Sequence, residues 1–232
     1  DNTARIGLRR SKRLSTSWIR TLSLDASHEN YEVGEESDTS TLLIPAIAFD
    51  HKVADQDVYP TRGRRFLVEF LGAGKALGSD TSFAQVKASA RYIRALGENS
   101  RLIARAAAGT TIKADFDELP PSVRFFAGGD ESVRGFDFDS LGPEDAEGNV
   151  IGGANLLVAS LEFERRLRGN YYAAFFVDGG NAFDDVDFDP AAGTGLGIKW
   201  RSPIGPVRVY VGFPLTGDES SPRLHLRLGA DL

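Results

Sequence analysis

Arg134 stands between Val133 and Gly135 in the stretch Arg124-Phe125-Phe126-Ala127-Gly128-Gly129-Asp130-Glu131-Ser132-Val133-Arg134-Gly135-Phe136. From Gly128 onward this reads as neither strand nor ordinary turn, and polar, Gly-rich sequence continues to Gly153. Connections of that length are uncommon without a function. Gly128-Gly129 lets the chain turn sharply, and Gly135 lets its backbone approach a wall closely. If such a loop, at about 129–152, folds into an enclosed space, the Arg134 guanidinium needs carboxylates there, and a bidentate Arg–carboxylate pair suits that task. Glu162 and Glu164 share the polar face of the next predicted strand. Asp178 closes the one after it, in Phe175-Phe176-Val177-Asp178-Gly179-Gly180. The plainer alternative is a solvated loop arginine and acids that merely line a polar wall, since most surface charges pair weakly.

Other chemistries find little support. His28, His51 and His225 are scattered without ligand spacing, and there is no cysteine. No Gly-x-Ser-x-Gly elbow and no phosphate-binding Gly-Lys-Ser/Thr loop occurs. Glu162 and Asp178 would make an acid/base pair only if the simpler anchoring role failed. Asp184-Asp185, Asp187 and Asp189 have calcium-type oxygens, but solvated loop acids explain them as well. The expectation is a non-enzymatic protein with no cofactor and no metal. The net charge of −6 argues against nucleic acid as the main partner.

The elements that would position these residues are strands. Leu157, Ala159, Leu161 and Phe163 alternate with Ser160, Glu162 and Glu164. Leu196, Ile198 and Trp200 alternate with Lys199 and Arg201. Val207, Val209, Val211 and Phe213 alternate with Arg208 and Tyr210, and Leu224, Leu226 and Leu228 with Arg223, His225 and Arg227. Phe66, Val68 and Phe70 oppose Arg65 and Glu69 in the same way, and Ala84 to Tyr92 oppose Gln85 to Arg91. A period of two is the signature of a sheet with two unlike faces. Punctuation such as Gly34-Glu35-Glu36-Ser37-Asp38, Gly78-Ser79-Asp80, Gly97-Glu98-Asn99 and Gly217-Asp218-Glu219 separates the runs. The pattern predicts about twelve strands, near 3–12, 15–32, 40–51, 63–75, 81–94, 100–112, 122–128, 153–167, 170–178, 192–201, 205–213 and 223–232. It is an all-β chain, read as one domain over 1–232. No apolar run is long enough for a transmembrane helix, which leaves a membrane β-barrel open because barrel strands hide their apolar residues by alternation. A soluble sandwich or lipocalin-like barrel shows the same alternation with the apolar face inward. Aromatics near strand ends (Tyr171, Tyr172, Trp200, Phe213) favour the membrane barrel, whose interfaces carry aromatic girdles.

Val133-Arg134-Gly135-Phe136 resembles the Val-Arg-Gly-Tyr/Phe motif of the superfamily that includes BamA, TamA and two-partner secretion transporters. Phe176-Val177-Asp178-Gly179-Gly180 is similar to its second signature, Phe-x-Asp-x-Gly. Tyr59-Pro60-Thr61-Arg62-Gly63 and Arg201-Ser202-Pro203-Ile204-Gly205-Pro206 add further matches. Leu119-Pro120-Pro121-Ser122, Leu141-Gly142-Pro143 and Gly148-Asn149-Val150-Ile151-Gly152-Gly153 look most like the TamA branch. The resemblance implies an outer-membrane barrel of a Gram-negative bacterium whose long extracellular loop enters the lumen. In relatives the motif arginine pairs with acids of the wall, which implies that role for Asp178 and Glu162, with Glu164 beside them. The family pattern also implies more strands before the loop than this chain shows, and POTRA domains ahead of the barrel. The expectation is therefore either part of a longer barrel or a smaller closed one, in which the strand near Ala4–Lys12 would pair with the one near Arg223–Leu232. The cluster Arg5, Arg9, Arg10, Lys12 and Arg13 makes a poor lipid-facing edge.

The resemblance further implies a factor that inserts or secretes other outer-membrane proteins or autotransporters, through a weak seam that opens toward lipid. Its partners would be the bilayer, those clients, and a TamB-like periplasm-spanning protein reached through POTRA domains. Two rivals are a passive pore, with inward arginines and lysines favouring anions, and a barrel that anchors or exports a fused passenger domain.

Overall fold

The computed structural model describes residues 2–33, 36–112, 118–184, 188–203, 205–217 and 221–232, with the backbone alone at 32, 33, 36 and 37. Eleven strands form one antiparallel sheet in chain order: β1 (Asn2–Arg13), β2 (Trp18–Val33), β3 (Glu36–Ala54), β4 (Gly63–Ala73), β5 (Phe83–Ala95), β6 (Ser100–Ile112), β7 (Asn155–Arg168), β8 (Tyr171–Phe183), β9 (Ala191–Ser202), β10 (Gly205–Pro214) and β11 (Arg223–Leu228). Of the predicted turns, residues 34–35 and 218–219 lie outside the described residues, as do 185, 187 and 204.

The period of two is realised with the apolar rows outward. Leu157, Leu161, Phe175, Leu196, Ile198, Val209, Leu224 and Leu226 are all exposed, whereas Glu162, Glu164, Asp178, Lys199, Arg208 and His225 on the alternate rows are buried. A soluble sandwich would reverse this arrangement, so the alternation belongs to a sheet whose convex face meets lipid. Trp18 packs tilted against His51 at 4.7 Å, His51 stacks on Phe66 at 6.3 Å and Tyr171 on Trp200 at 6.4 Å, near the ends of their strands. Tyr172, expected in the girdle, is instead buried on the inner face, where the Arg201 guanidinium lies 4.3 Å from its ring. It is one residue out of phase with Tyr171, and one residue is a change of face.

Three expectations are corrected. The predicted strand at 122–128 is absent: a short 3-10 turn (Pro121–Val123) is followed by single bridges, Phe125 to Gly153 and Ala127 to Leu141. Pro120 and Pro121 have no N–H to donate, and Gly128 and Gly129 both have positive φ, so no ladder extends there. Among the described residues the count is therefore eleven strands, with β6 ending at Ile112 and β7 beginning at Asn155. Second, the last strand stops at Leu228. Gly229 turns at φ +120°, and the tail folds inward so that Asp231 and Leu232 are buried. Third, of the two alternatives only the smaller closed barrel required the first and last strands to pair, and β1 and β11 do not pair. With an odd number of antiparallel strands they run the same way, so no antiparallel seam forms between them.

The sheet is nonetheless strongly curled. Lys52 Nζ of β3 donates to the Leu232 carbonyl at 3.0 Å, and Arg91 of β5 donates to the Asp231 carbonyl at 2.6 Å. The tail beyond β11 thus reaches across the concave face to strands six and eight places away in the order. The longest connection, between β6 and β7, leaves one end of the strands, and the short turns 14–17, 96–99 and 169–170 leave the other. Outer-membrane barrels place their short turns toward the periplasm.

Candidate functional site: a lumen-entering loop braced on the wall

Residues 118–154 fold back against the concave face, and Arg134 is their deepest charge, only 2% exposed. Gly135 has φ +106°, and a Cβ there would sit 2.9 Å from the Phe213 carbonyl group. Opposite it, the inward row of β9 is Gly193, Gly195 and Gly197. A Cβ at Gly193 would overlap the Arg134 carbonyl oxygen, and one at Gly195 or Gly197 would strike the Phe176 or Tyr210 ring. The loop tip reaches the wall because this strip of wall has no side chains.

The Arg134 guanidinium is fully committed. Nε donates to Asp178 Oδ2 at 2.7 Å and Nη2 to Asp178 Oδ1 at 2.9 Å, a bidentate fork. Nη1 donates to Glu162 Oε2 at 2.6 Å, and Nη2 also reaches Ser160 Oγ at 3.2 Å. The backbone N–H of Arg134 donates to Asp178 as well, at 3.0 Å. The guanidinium carbon lies 3.5 Å from the centroid of the Phe176 ring and 4.8 Å from that of Tyr210, and these two rings meet edge to face. Tyr210 donates its hydroxyl to the other Glu162 oxygen at 2.9 Å. Burial opposes the charge on Arg134, but Asp178 and Glu162 more than offset it and raise its pKa above that of a free arginine.

The second signature is thereby accounted for residue by residue. Phe176 is the platform under the guanidinium and Asp178 its bidentate acceptor. Gly180, at φ +143°, lies so close to Leu157 and Val158 of β7 that no side chain fits. Val133, also fully buried, packs with Ala127, Phe136, Val158 and Ala191 in an apolar cluster that holds the tip down.

Glu164 is not a partner of the loop, which corrects the third wall residue. It shares the inward row of β7 with Glu162 but lies one pleat repeat nearer the short turns, beyond the reach of Arg134. There it accepts from Arg101 Nε at 2.6 Å and from Lys199 Nζ at 3.1 Å. Asp231 of the tail completes this second cluster, bonded to Arg101 at 2.6 Å, to Lys199 at 2.9 Å and to Arg208. Two acids and three cations there fasten the tail to β6, β7, β9 and β10.

Several participants have no sequence signal of their own. Ser160 and Tyr210 fall on polar rows but carry no charge pattern that singles them out. The loop also contacts the inner row of β11 at three points. Arg223 pairs with Asp137 at 3.0 Å and Arg227 with Glu131 at 2.7 Å. Between them, Gly135 N–H donates to His225 Nε2 at 3.1 Å, so it is Nδ1 that carries the hydrogen toward Asp130, at 2.5 Å. Arg91 and Arg105, directly opposed on β5 and β6, share Glu131 at 3.3 and 3.8 Å. Asp185 and Asp187 lie outside the described residues, and Asp184 accepts the Ala154 N–H at 2.8 Å. No group of metal-type ligands occurs among the described residues.

Comparison with known proteins places this geometry. Residues 3–231 match the Omp85 superfamily domain. The chain is 28% identical over 195 residues to outer membrane protein assembly factor BamA of Nitratidesulfovibrio vulgaris, covering 79% of this chain and 25% of that protein. It is 31% identical over 124 residues to outer envelope protein 80, chloroplastic, of Arabidopsis thaliana, covering 48% of this chain and 15% of that one. The chain thus spans a quarter or less of the length of these relatives. The crystal structure of BamA from Haemophilus ducreyi lacking POTRA domains 1-3 matches with a TM-score of 0.81 at 18% identity, over 98% of this chain and 54% of that one. CdiB from Escherichia coli matches with a TM-score of 0.69 at 18% identity, over 97% and 44%. At such identities the solved structures establish the fold, whereas the domain match runs from the first strand to the tail: the chain belongs to the Omp85 superfamily, as an outer-membrane β-barrel.

Proposed function

We propose that this chain forms the barrel wall and lumen loop of a non-enzymatic factor that assembles or secretes other proteins at the outer membrane of a Gram-negative bacterium. The observation that carries the reading is the buried Arg134–Asp178–Glu162 brace, which fixes the long loop to the concave wall next to edge strand β11. An edge strand offers main-chain groups that recognise an incoming strand with little regard for its side chains. The loop bonds to β11 on its inner row and leaves that row of main-chain groups in place. The brace thereby sets the position of the strand that would meet a client. The loop also bonds across the concave face to β5, β6, β7, β8 and β11, which favours this role over a passive pore.

A finer reading, an assembly barrel of the TamA branch working with a TamB-like partner, rests on the sequences flanking the loop motif. Leu119 and Pro120 are fully buried beside the 3-10 turn, and Arg124 Nε donates to the Leu119 carbonyl at 2.7 Å. The test is reconstitution of the longest form that the gene encodes into lipid vesicles, followed by addition of a urea-denatured outer-membrane client. Faster client folding with the wild type, and a loss of at least tenfold in that acceleration with Arg134→Ala, is expected. Equal client folding with empty vesicles, or with Arg134→Ala at full rate, would sink the reading.

A further inference from the structure

The outward rows change character at the short-turn end of the sheet. On three strands the same pair recurs: an exposed aromatic or phenyl ring, and two residues nearer the turns an exposed arginine. The pairs are Phe66 and Arg64 on β4, Tyr92 and Arg94 on β5, and Phe163 and Arg165 on β7. A separation of two keeps both side chains on one face, about 6.6 to 6.8 Å apart along the strand. Further round the sheet, Lys12 of β1 stands directly opposite Arg20 of β2 on the same outer face. Like charges in direct opposition destabilise a strand pair.

What the outer face lacks is a counter-charge. Among the described residues none of these five cations forms an ion pair, and Nε of Arg20 has no hydrogen-bond partner. The inner face handles the same problem differently: Arg91 opposes Arg105 there, and Glu131 of the loop sits between them. Every acidic strand residue whose side chain is described, Glu29, Asp50, Glu162 and Asp178 among them, lies on an inward row. Five cations without acids thus border the apolar band on the side of the short turns. Hydrocarbon does not accept them, but long basic side chains extend from an apolar surface into the headgroup layer beyond it. A guanidinium fork matches the oxygens of a phosphodiester.

We propose that Arg64, Arg94 and Arg165, with Lys12 and Arg20, form a belt that binds the anionic phospholipid headgroups of the periplasm-facing leaflet. The belt holds the sheet at a set depth and orders lipid along the face that leads toward edge strand β1. It depends on the membrane-barrel fold and on no assembly activity, so its test is independent of any client.

The test reconstitutes the longest form of the protein that the gene encodes into vesicles of phosphatidylcholine doped with spin-labelled phosphatidylglycerol or spin-labelled phosphatidylcholine. Electron spin resonance then reads the fraction of each label immobilised at the protein. A preference for phosphatidylglycerol of about five-fold per occupied basic site is expected at low salt, falling toward unity in 0.5 M NaCl. The variant R64Q/R94Q/R165Q loses the preference and R64K/R94K/R165K keeps most of it. Equal immobilisation of the two lipids by the wild type, or a preference that salt leaves unchanged, overturns the proposal without any variant having to fold. A preference that persists in the glutamine variant overturns it too.

Discussion

Arg134 is one residue on which three kinds of interaction converge: a bidentate fork to Asp178, a second carboxylate in Glu162, and the face of Phe176. Removing one partner of a buried ion pair strands the others, at a cost of about 3–5 kcal/mol. Arg134→Ala is therefore expected to lower the temperature of the heat-induced gel shift and to leave far-UV circular dichroism almost unchanged, because no strand depends on the loop for its ladder. Arg134→Lys keeps the charge but not the fork or the stacking, and belongs nearer to alanine than to wild type on the same gel. Tyr210→Phe removes the hydroxyl that donates to Glu162 Oε1, and should cost about 1–3 kcal/mol in the same unfolding measurement. At this scale the arginine and two of its acids were legible, since an isolated Val-Arg-Gly in a long loop and acids on alternating rows are local patterns. Ser160 and Tyr210 were not, because their partner comes from a loop distant in sequence. Glu164 shows the limit: periodicity assigned its face correctly, but only the depth at which the loop stops decides whether Arg134 meets residue 162 or 164.

Strand β9 contributes mainly through what it lacks. Its inward row of Gly193, Gly195 and Gly197 would weaken an ordinary strand, yet here it admits the Arg134 backbone and the Phe176 and Tyr210 rings. Gly193→Val is expected to lift the loop from the wall while the sheet persists. Trypsin would then cleave after Arg134, only 2% exposed in the native arrangement, at least tenfold faster than in wild type. An unchanged cleavage rate would show that the loop has another seat. Strand β11 is held by β10 on one side and by loop acids on its inner row. His225→Ala removes the central contact, and faster amide hydrogen exchange over residues 223–228 is the expected readout. The alternation of Leu224, Leu226 and Leu228 with Arg223, His225 and Arg227 announced this strand. That its polar row faces loop acids required the folded chain.

At the scale of the whole molecule the tail is the clearest long-range constraint. Asp231 gathers Arg101, Lys199 and Arg208 from three strands, and the neighbouring carbonyls bind Lys52 and Arg91 from two more. Asp231→Asn would leave the three cations with Glu164 as their one remaining carboxylate in that cluster. We expect the tail to detach and heat resistance to fall by about 3–5 kcal/mol. Hydrogen exchange at 230–232 alongside thermal unfolding would separate detachment from general loosening. The sequence by itself determined that the chain is all-β, where nearly all its strands lie, and which residues share a face, because alternation and turn chemistry are properties of neighbours along the chain. It could not determine which face is inside, since a period of two is identical for a membrane barrel and its soluble inverse. The absence of a strand at 122–128, the inward turn at Gly229, the separate clusters of Glu162 and Glu164, and the lack of pairing between β1 and β11 were likewise decided only by tertiary structure. Each depends on where segments far apart in the chain meet, and on whether the wall at that point has room to receive them.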